Sequence, residues 1–279
     1  GEIDMISDAR SPLSYYLTDL LSKGRVVFTR EEAEKAVGIG RGPFLDAAEG
    51  LQHKGLLLTP RRGFYVVVPP QYLSWGAPPP AWYVDDLMKY LGRPYYVGLL
   101  KAAELHGAAH QAVMEFQVVT DKRMPKIRAG RSVIAFYYRK DMASVQHGVD
   151  DRKADTGTMK VSSVELTALD LVRYPHAAGG LDNIATVLSD LTDRLDPEKL
   201  GALATVYERS VVQRLGYLLS SSGRDAVSAT LLDRLSRGSP ITWVELDPSE
   251  TTDKELTPEP MDRDERWHVV VRRLPMIEG

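Results

Sequence analysis

Apolar side chains recur at helical spacing in three short segments near the start of the chain. The first segment begins at Ser11-Pro12, a pair typical of a helix N-cap and first turn, and its apolar face consists of Leu13, Tyr16, Leu17, Leu20 and Leu21. The second begins at Thr29, where Glu32 completes a capping box. The third runs over residues 41–54, with Phe44, Leu45, Ala48 and Leu51 facing inward. The pattern therefore predicts three helices.

Two short extended segments follow the third predicted helix. Residues 56–58 and 64–68 are apolar, and the residues between them include Pro60 and Gly63, which are typical of turns. Three helices followed by a hairpin is the element order of a winged helix-turn-helix. We therefore predict such a DNA-binding domain over residues 10–75.

A proline-rich stretch separates this domain from the rest of the chain. Residues 69–80, PPQYLSWGAPPP, predict a short stiff linker because proline lacks an amide donor. Beyond it the pattern predicts helices at 81–91, 98–107 and 163–237, and strands at 116–120, 132–138, 159–161, 241–246 and 267–274. The acidic stretch 248–265 is expected to be a mobile loop. The predicted fold class is α+β, with the winged helix-turn-helix followed by a larger mixed α/β domain over residues 80–279.

Charge is distributed unevenly. Lys and Arg outnumber Asp and Glu by four in residues 76–160, whereas acidic residues outnumber basic ones by seven in residues 161–279. A polyanionic partner would therefore meet the first half of the chain. The absence of cysteine excludes disulfides and thiolate metal sites. Without a long apolar stretch or a secretory h-region, we expect a cytoplasmic protein that does not engage a membrane.

The first candidate site is the surface of the predicted helix-turn-helix. Arg41 begins the third helix, where recognition helices meet base edges. Arg30 begins the second helix, where backbone phosphates usually lie, and Arg61 and Arg62 occupy the wing tip. The predicted DNA-binding residues are Arg30, Arg41, Lys54, Arg61, Arg62 and Gly63. The alternatives are solvated arginines or a protein-interaction module, and Asp46 and Glu49 make the third helix less basic.

A second candidate is a run of seven cations, Lys122, Arg123, Lys126, Arg128, Arg131, Arg139 and Lys140. If the flanking strands pair, most of these charges line one loop and its adjacent edge. Such a patch suits RNA, DNA or an acidic protein face, and an ordinary solvated surface is the alternative.

Other residue groups give weaker signals. His106 and His110 have the i, i+4 spacing of a metal pair, and Asp150-Asp151 near His147 is a carboxylate pair on a predicted loop. Neither group has an obvious further ligand, so we predict no metal, no other cofactor and no catalytic residue. Glu165 and Asp170 are interpreted as framework residues. The chain contains no P-loop, GxGxxG, GxSxG or HExxH motif, which favours a binding protein over an enzyme.

Several sequence blocks resemble the AbiEi-type antitoxins. Within FTREEAEKAVGIGRGPFLDAAEGLQHKGLLLTPRRGFYVVVP, Gly55-Leu56-Leu57 and Arg61-Arg62-Gly63-Phe64-Tyr65 match the family's wing. Residues 94–111, PYYVGLLKAAELHGAAHQ, look like its tyrosine-glycine-alanine helix. Residues 160–184, KVSSVELTALDLVRYPHAAGGLDNI, look like its "S-x-E-x-T-x-x-D-L" helix and Gly-Gly-Leu continuation. The likeness spans roughly residues 12–240, and the acidic segment 248–265 lies outside it.

The resemblance implies a role that composition does not show. AbiEi-like proteins repress their own operon and counter a nucleotidyltransferase-like toxin, and they are associated with abortive phage infection. The implied partners are promoter DNA with inverted repeats and the cognate toxin or its nucleic-acid target. With this role, the run of seven cations from Lys122 to Lys140 is predicted to serve antitoxicity. The alternatives are a ligand-responsive winged-helix regulator without a toxin partner and an enzyme that uses residues 94–160. A neighbouring toxin gene would favour the first role, and small-molecule-dependent DNA release would favour the regulator.

Overall fold

The computed structural model describes residues 11–108 and 115–278. The helices in this part of the chain are α1 (Pro12–Ser22), α2 (Arg30–Val37), α3 (Arg41–His53), α4 (Val84–Leu91), α5 (Leu99–Leu105), α6 (Val164–Arg173), α7 (Leu181–Leu191), α8 (Pro197–Ala204), α9 (Arg209–Ser221) and α10 (Asp225–Ser236). The strands are β1 (Val27–Thr29), β2 (Leu57–Arg61), β3 (Phe64–Val67), β4 (Tyr95–Val97), β5 (Phe116–Thr120), β6 (Ile127–Ala129), β7 (Ser132–Tyr138), β8 (Val149–Ala154), β9 (Gly157–Ser162), β10 (Val244–Glu245), β11 (Asp262–Asp264) and β12 (Val269–Val271).

The predicted caps define the first two helices. The Ser11 side chain accepts a 3.1 Å hydrogen bond from the Ser14 amide, and Pro12 begins α1. The Thr29 side chain accepts a 3.2 Å bond from the Glu32 amide at the start of α2. Each side chain thus satisfies an amide that has no partner within its helix.

The first three helices pack on a small sheet with strand order β1-β3-β2. Aromatic rings form the centre of this core: Phe28 stacks on Tyr65 with ring centroids 5.2 Å apart, and Phe44 meets the same ring edge-on at 5.3 Å. The buried aliphatic residues around them include Leu13, Leu17, Leu20, Leu51 and Leu57. Each such side chain contributes roughly 1.5–3 kcal/mol of burial free energy. The predicted helices and hairpin are confirmed, while their assignment as a winged helix-turn-helix stays a prediction.

A six-stranded sheet has the order β6-β7-β5-β4-β9-β8. The predicted strands β5 and β7 pair in parallel, with Phe116 opposite Ile134, and β6 pairs with β7 antiparallel. Two expectations are corrected here. The loop expected between the strands at 116–120 and 132–138 contains strand β6, and Asp150-Asp151 lie in strand β8 instead of a loop. Both strands lie at sheet edges, where polar side chains are tolerated and the apolar alternation of an inner strand is lost.

The C-terminal part combines helices α6–α10 with a sheet of order β10-β12-β11. A side chain at Gly216 in α9 would overlap the Trp267 ring, since its Cβ would lie 2.2 Å from a ring carbon. This glycine therefore allows the fully buried indole to pack against the helix. The expected mobile loop at 248–265 is also corrected, because it contains a 3₁₀ turn at Pro248–Thr251 and strand β11.

The backbone divides into two compact units. Among the described residues, the first contains 11–95, 115–140 and 151–160, and the second contains 96–108, 141–150 and 161–278. The linker residues 69–80 lie within the first unit, where Ala77, Pro78 and Pro80 are buried. The predicted domain bounds, 10–75 and 80–279, stay a prediction.

Candidate nucleic-acid interface

Helix α3 exposes one continuous face beside its buried one. Phe44, Ala48 and Leu51 are buried at i, i+4 and i+7, whereas Arg41 and the residues around it face solvent. The N-cap is Gly40, which makes no side-chain capping bond, so the first amides of α3 stay available to a partner. Arg41 forms no ion pair with any residue that the structure describes. The start of α3 is therefore a free, cationic helix end suited to a polyanion.

Arg30, the first residue of α2, is in a different situation. Its guanidinium lies 3.1 Å from the Glu31 carboxylate and 3.4 Å from that of Glu34, and only 23% of its side chain is exposed. Its backbone amide donates to the Gly63 carbonyl at 3.0 Å. A phosphate would have to compete with two carboxylates for this guanidinium.

The tip of the β2–β3 hairpin consists of Arg62 and Gly63. Gly63 has φ of +81°, a left-handed conformation that glycine adopts at little cost. The hydroxyl of Tyr90 donates a 2.7 Å hydrogen bond to the Arg62 carbonyl and fixes the turn. The Arg62 side chain is exposed and pairs with no carboxylate in the described ranges. It is therefore the hairpin cation best placed for a phosphate.

Arg61 is not a free cation at the tip. Its guanidinium donates to the carbonyl oxygens of Pro60 and Pro125, each at 3.1 Å, and lies 5.9 Å from the centre of the Phe136 ring. Burial lowers the pKa of its guanidinium. The sequence-predicted phosphate contact thus also ties the hairpin to the loop before β6.

The hydrogen bond from Arg61 to the Pro125 carbonyl places the predicted basic patch next to the hairpin. Its exposed members are Lys122, Arg123, Lys126, Arg128, Arg131 and Lys140, whereas Arg139 is only 4% exposed and is absent from the exposed surface. Lys126 pairs with Glu115, which neutralises it locally. Arg128 projects from the edge strand β6 between the buried Ile127 and Ala129. We call the five exposed cations without a described ion pair, Lys122, Arg123, Arg128, Arg131 and Lys140, the basic cluster.

Aromatic rings lie beside two members of this cluster, and the sequence reasoning did not single them out. Arg123 lies 4.4 Å from the centre of the Tyr138 ring, and Arg131 lies 5.5 Å from that of Trp75. Trp75 is 46% exposed, and its indole donates a 3.2 Å bond to the Ser132 hydroxyl. A Trp in the proline-rich stretch was the available signal, but its partner lies 57 residues away.

The remaining sequence candidates lie elsewhere. Lys54 is exposed at the C-cap of α3. His106 donates to the Ser162 carbonyl at 2.8 Å, while His110 lies outside the described residues. His147 and Asp150 line a cavity with Glu165.

Asp170 is fully buried in α6, where its carboxylate accepts hydrogen bonds from two tyrosine hydroxyls, those of Tyr96 at 2.5 Å and of Tyr207. These contacts join β4, α6 and the segment between α8 and α9 by buried hydrogen bonds. Such placement fits the framework role predicted for Asp170, which stays a prediction.

Comparison with known families gives a match over residues 96–221. Residues 96–221 match the model of the AbiEi antitoxin C-terminal domain. The resemblance to AbiEi-type antitoxins is thereby confirmed, and the match supports an antitoxin role in a toxin–antitoxin system. This family is a regulatory, non-enzymatic kind of protein. A search among curated proteins gave no match.

The fold as a whole is similar to a known structure, that of the RV2827C protein from Mycobacterium tuberculosis. The two share 19% sequence identity with a TM-score of 0.67, over 93% of this chain and 91% of that one. The mixed α/β arrangement is therefore shared across nearly the full length. None of the helices within the described residues is long and apolar enough to span a bilayer.

Proposed function

We propose that the protein is a DNA-binding antitoxin that represses its own toxin–antitoxin operon and counteracts a nucleotidyltransferase-like toxin. The match of residues 96–221 to the AbiEi antitoxin C-terminal domain is the observation that carries this proposal. The free, cationic start of α3 beside a hairpin supports the DNA-binding part. The domain over residues 10–75 then acts as a winged helix-turn-helix.

In this proposal α3 enters the major groove of promoter DNA that contains inverted repeats. Arg41 reads a base edge, and Arg62 at the wing tip holds a phosphate. The remaining proposed contacts are Arg30, which its two carboxylates restrain, Lys54 at the C-cap of α3, and Gly63 in the hairpin tip.

The basic cluster has two candidate roles. The sequence-based proposal assigns it to antitoxicity, against the toxin's acidic metal-binding site or its nucleic-acid target. The bond from Arg61 to the Pro125 carbonyl favours a second role, in which the cluster extends the DNA-binding surface beyond the hairpin. Arginines that lie against aromatic rings suit contact with promoter DNA and contact with the toxin's nucleic-acid target.

Two measurements on full-length variants test these proposals. The first is binding to the protein's own promoter at several salt concentrations, and the second is rescue of cells that express the neighbouring toxin gene. Wild-type protein should shift the promoter and rescue the cells. Failure to rescue would refute the antitoxin role, and absence of a promoter shift at low salt would refute the DNA-binding role.

The pair variant Lys122→Ser/Arg128→Ser separates the roles of the cluster. Its matched control is Lys254→Ser/Arg263→Ser, which removes two exposed cations from the second unit. A DNA role predicts a salt slope smaller by up to about 2 with rescue unchanged, since each phosphate contact contributes about 0.9. An antitoxic role predicts an unchanged salt slope with reduced rescue of toxin-expressing cells. No change in either measurement would identify a solvated surface.

A further inference from the structure

The second unit contains a cavity of about 280 Å³ that the proposed function does not use. Its residues come from the 3₁₀ segment Ala143–Gly148, strand β8, the N-cap and first turn of α6, and helix α8. Gly148 and Leu203 form its floor with Glu165, and exposed polar residues form its rim. A Cβ at Gly148 would lie 3.0 Å from both Leu203 methyl groups, so this floor is closely packed.

Glu165 is the polar group at the bottom of the cavity. It is only 5% exposed, and its carboxylate accepts hydrogen bonds from its own backbone amide and, over a long 3.5 Å, from the Asp196 amide. Within the described residues no Lys or Arg forms an ion pair with it, and Lys199 at the rim acts on it only through its electrostatic field. Burial raises the pKa of this carboxyl. An anion held out of water with so few donors is poorly compensated.

The rim adds more negative charge than positive. Asp150 and Glu198 oppose Lys199, with His147 beside them. In the described part of the chain, no three His, Asp or Glu side chains converge as a metal site requires. An organic cation with several directional N–H donors therefore suits the cavity better than a bare ion does.

We propose that this cavity binds a single alkylammonium or guanidinium group, whose N–H groups donate to the Glu165 carboxylate while its alkyl stem lies against Leu203. The volume is slightly below the roughly 300–1,000 Å³ of sites for drug-sized ligands, and it suits one such group with a short chain. The group comes either from a small free molecule or from a Lys or Arg side chain of a partner protein. This site requires neither DNA nor a toxin, so it stands apart from the proposed function.

Calorimetric titration of the full-length protein with butylguanidinium tests the site. Butylurea, which has nearly the same shape without the charge, is the control ligand. Butylguanidinium should bind saturably and butylurea should not. The Glu165→Gln variant, which keeps the shape of the side chain, should weaken binding about tenfold or more because the charged acceptor is lost. Glu255→Gln, an exposed carboxylate far along the chain, should bind like wild type.

Ala202→Leu fills the cavity without a change of charge and provides a second test on a half-buried position. It should abolish binding while circular dichroism shows a cooperative thermal transition. A pentapeptide amide, Gly-Gly-Arg-Gly-Gly, distinguishes the sources: binding as tight as that of butylguanidinium identifies a partner's side chain, and much weaker binding identifies a free molecule. Equal binding by wild type and Glu165→Gln, or no saturable heat up to about 10 mM, would overturn the proposal.

Discussion

The hydroxyl of Tyr90 occupies the space that a side chain at Gly63 would need. A Cβ on Gly63 would lie 2.6 Å from that oxygen, which also donates to the neighbouring Arg62 carbonyl. The hairpin tip is therefore fixed both by its left-handed glycine and by a ring from α4.

This arrangement predicts that Gly63→Ala is more destabilising than an ordinary substitution at positive φ. Gly55 has a similar φ of +73° with no atom within 4 Å of a built Cβ, so Gly55→Ala measures the conformational cost alone, roughly 1–2 kcal/mol. Gly63→Ala should cost more in urea unfolding. Replacing Tyr90 by Phe in the Gly63→Ala background should recover most of the excess, and additive costs would show that the ring does not restrict residue 63.

Arg61 and Arg62 should separate stability from DNA binding. Arg62→Ala should leave the melting temperature unchanged and lower the salt slope of promoter binding by about 0.9. Arg61→Ala should lower the free energy of unfolding by roughly 0.5–1.5 kcal/mol, because it loses its bond to the Pro125 carbonyl. Thermal melts and salt-dependent binding check both variants. Equal behaviour of the two would contradict the distinct environments of these arginines.

Arg41→Ala should weaken binding to the promoter by about 1–3 kcal/mol at one base position. The comparison that reveals this is a set of promoter duplexes, each with one base pair changed, bound by wild type and variant. Lys35→Ala serves as the control, since Lys35 is an exposed cation in the last turn of α2. A uniform loss over all duplexes would place Arg41 at a phosphate instead.

Tyr207→Phe should lower the free energy of unfolding by about 1.5–3 kcal/mol, the range for a hydrogen bond to a charged group. Its hydroxyl donates to the fully buried carboxylate of Asp170. Tyr15→Phe is the control, because Tyr15 is 60% exposed. If rescue of toxin-expressing cells failed while the stability of Tyr207→Phe stayed at the wild-type value, Asp170 would belong to a functional site and not to the framework.

Glu165 makes the stability of the protein depend on pH. Burial raises its pKa in the folded state above the ordinary 4.5, so the folded protein holds this proton more tightly than the unfolded chain does. Its stabilising contribution is complete below the unfolded pKa and is lost as pH rises through the folded pKa. Glu165→Gln should therefore gain stability relative to wild type as pH rises from about 4 to 7. Urea unfolding at several pH values measures the difference, and a constant difference would contradict it.

Local signals predicted the helices within residues 11–68 well, and the first two of these helices begin at their own side-chain caps. Ser11 and Thr29 both act as expected, since a cap is a contact between residues three apart. Pairing over long distances was not predictable in this way. The parallel pairing of β5 with β7 and the polar edge strand β8 depend on neighbours that the local pattern does not reveal.

The candidate site shows the same limit. The free cations Arg41 and Arg62 could be identified from their positions in the chain. The restraint of Arg61 by Pro125 could not, because 64 residues separate the two. Likewise, nothing in the sequence distinguishes the buried Arg139 from the exposed cations before it.

Gly130 limits how the linker can change over evolution. A Cβ at this residue would lie 2.5 Å from the Trp75 carbonyl oxygen and 2.8 Å from the Ala77 amide, and the Arg131 amide donates to that same carbonyl at 3.0 Å. An insertion or deletion between Val68 and Trp75 would displace the indole from the turn that receives it. In related chains we therefore expect this linker to keep a constant length while its exposed residues vary, and any replacement of the glycine to coincide with rearrangement of the tryptophan.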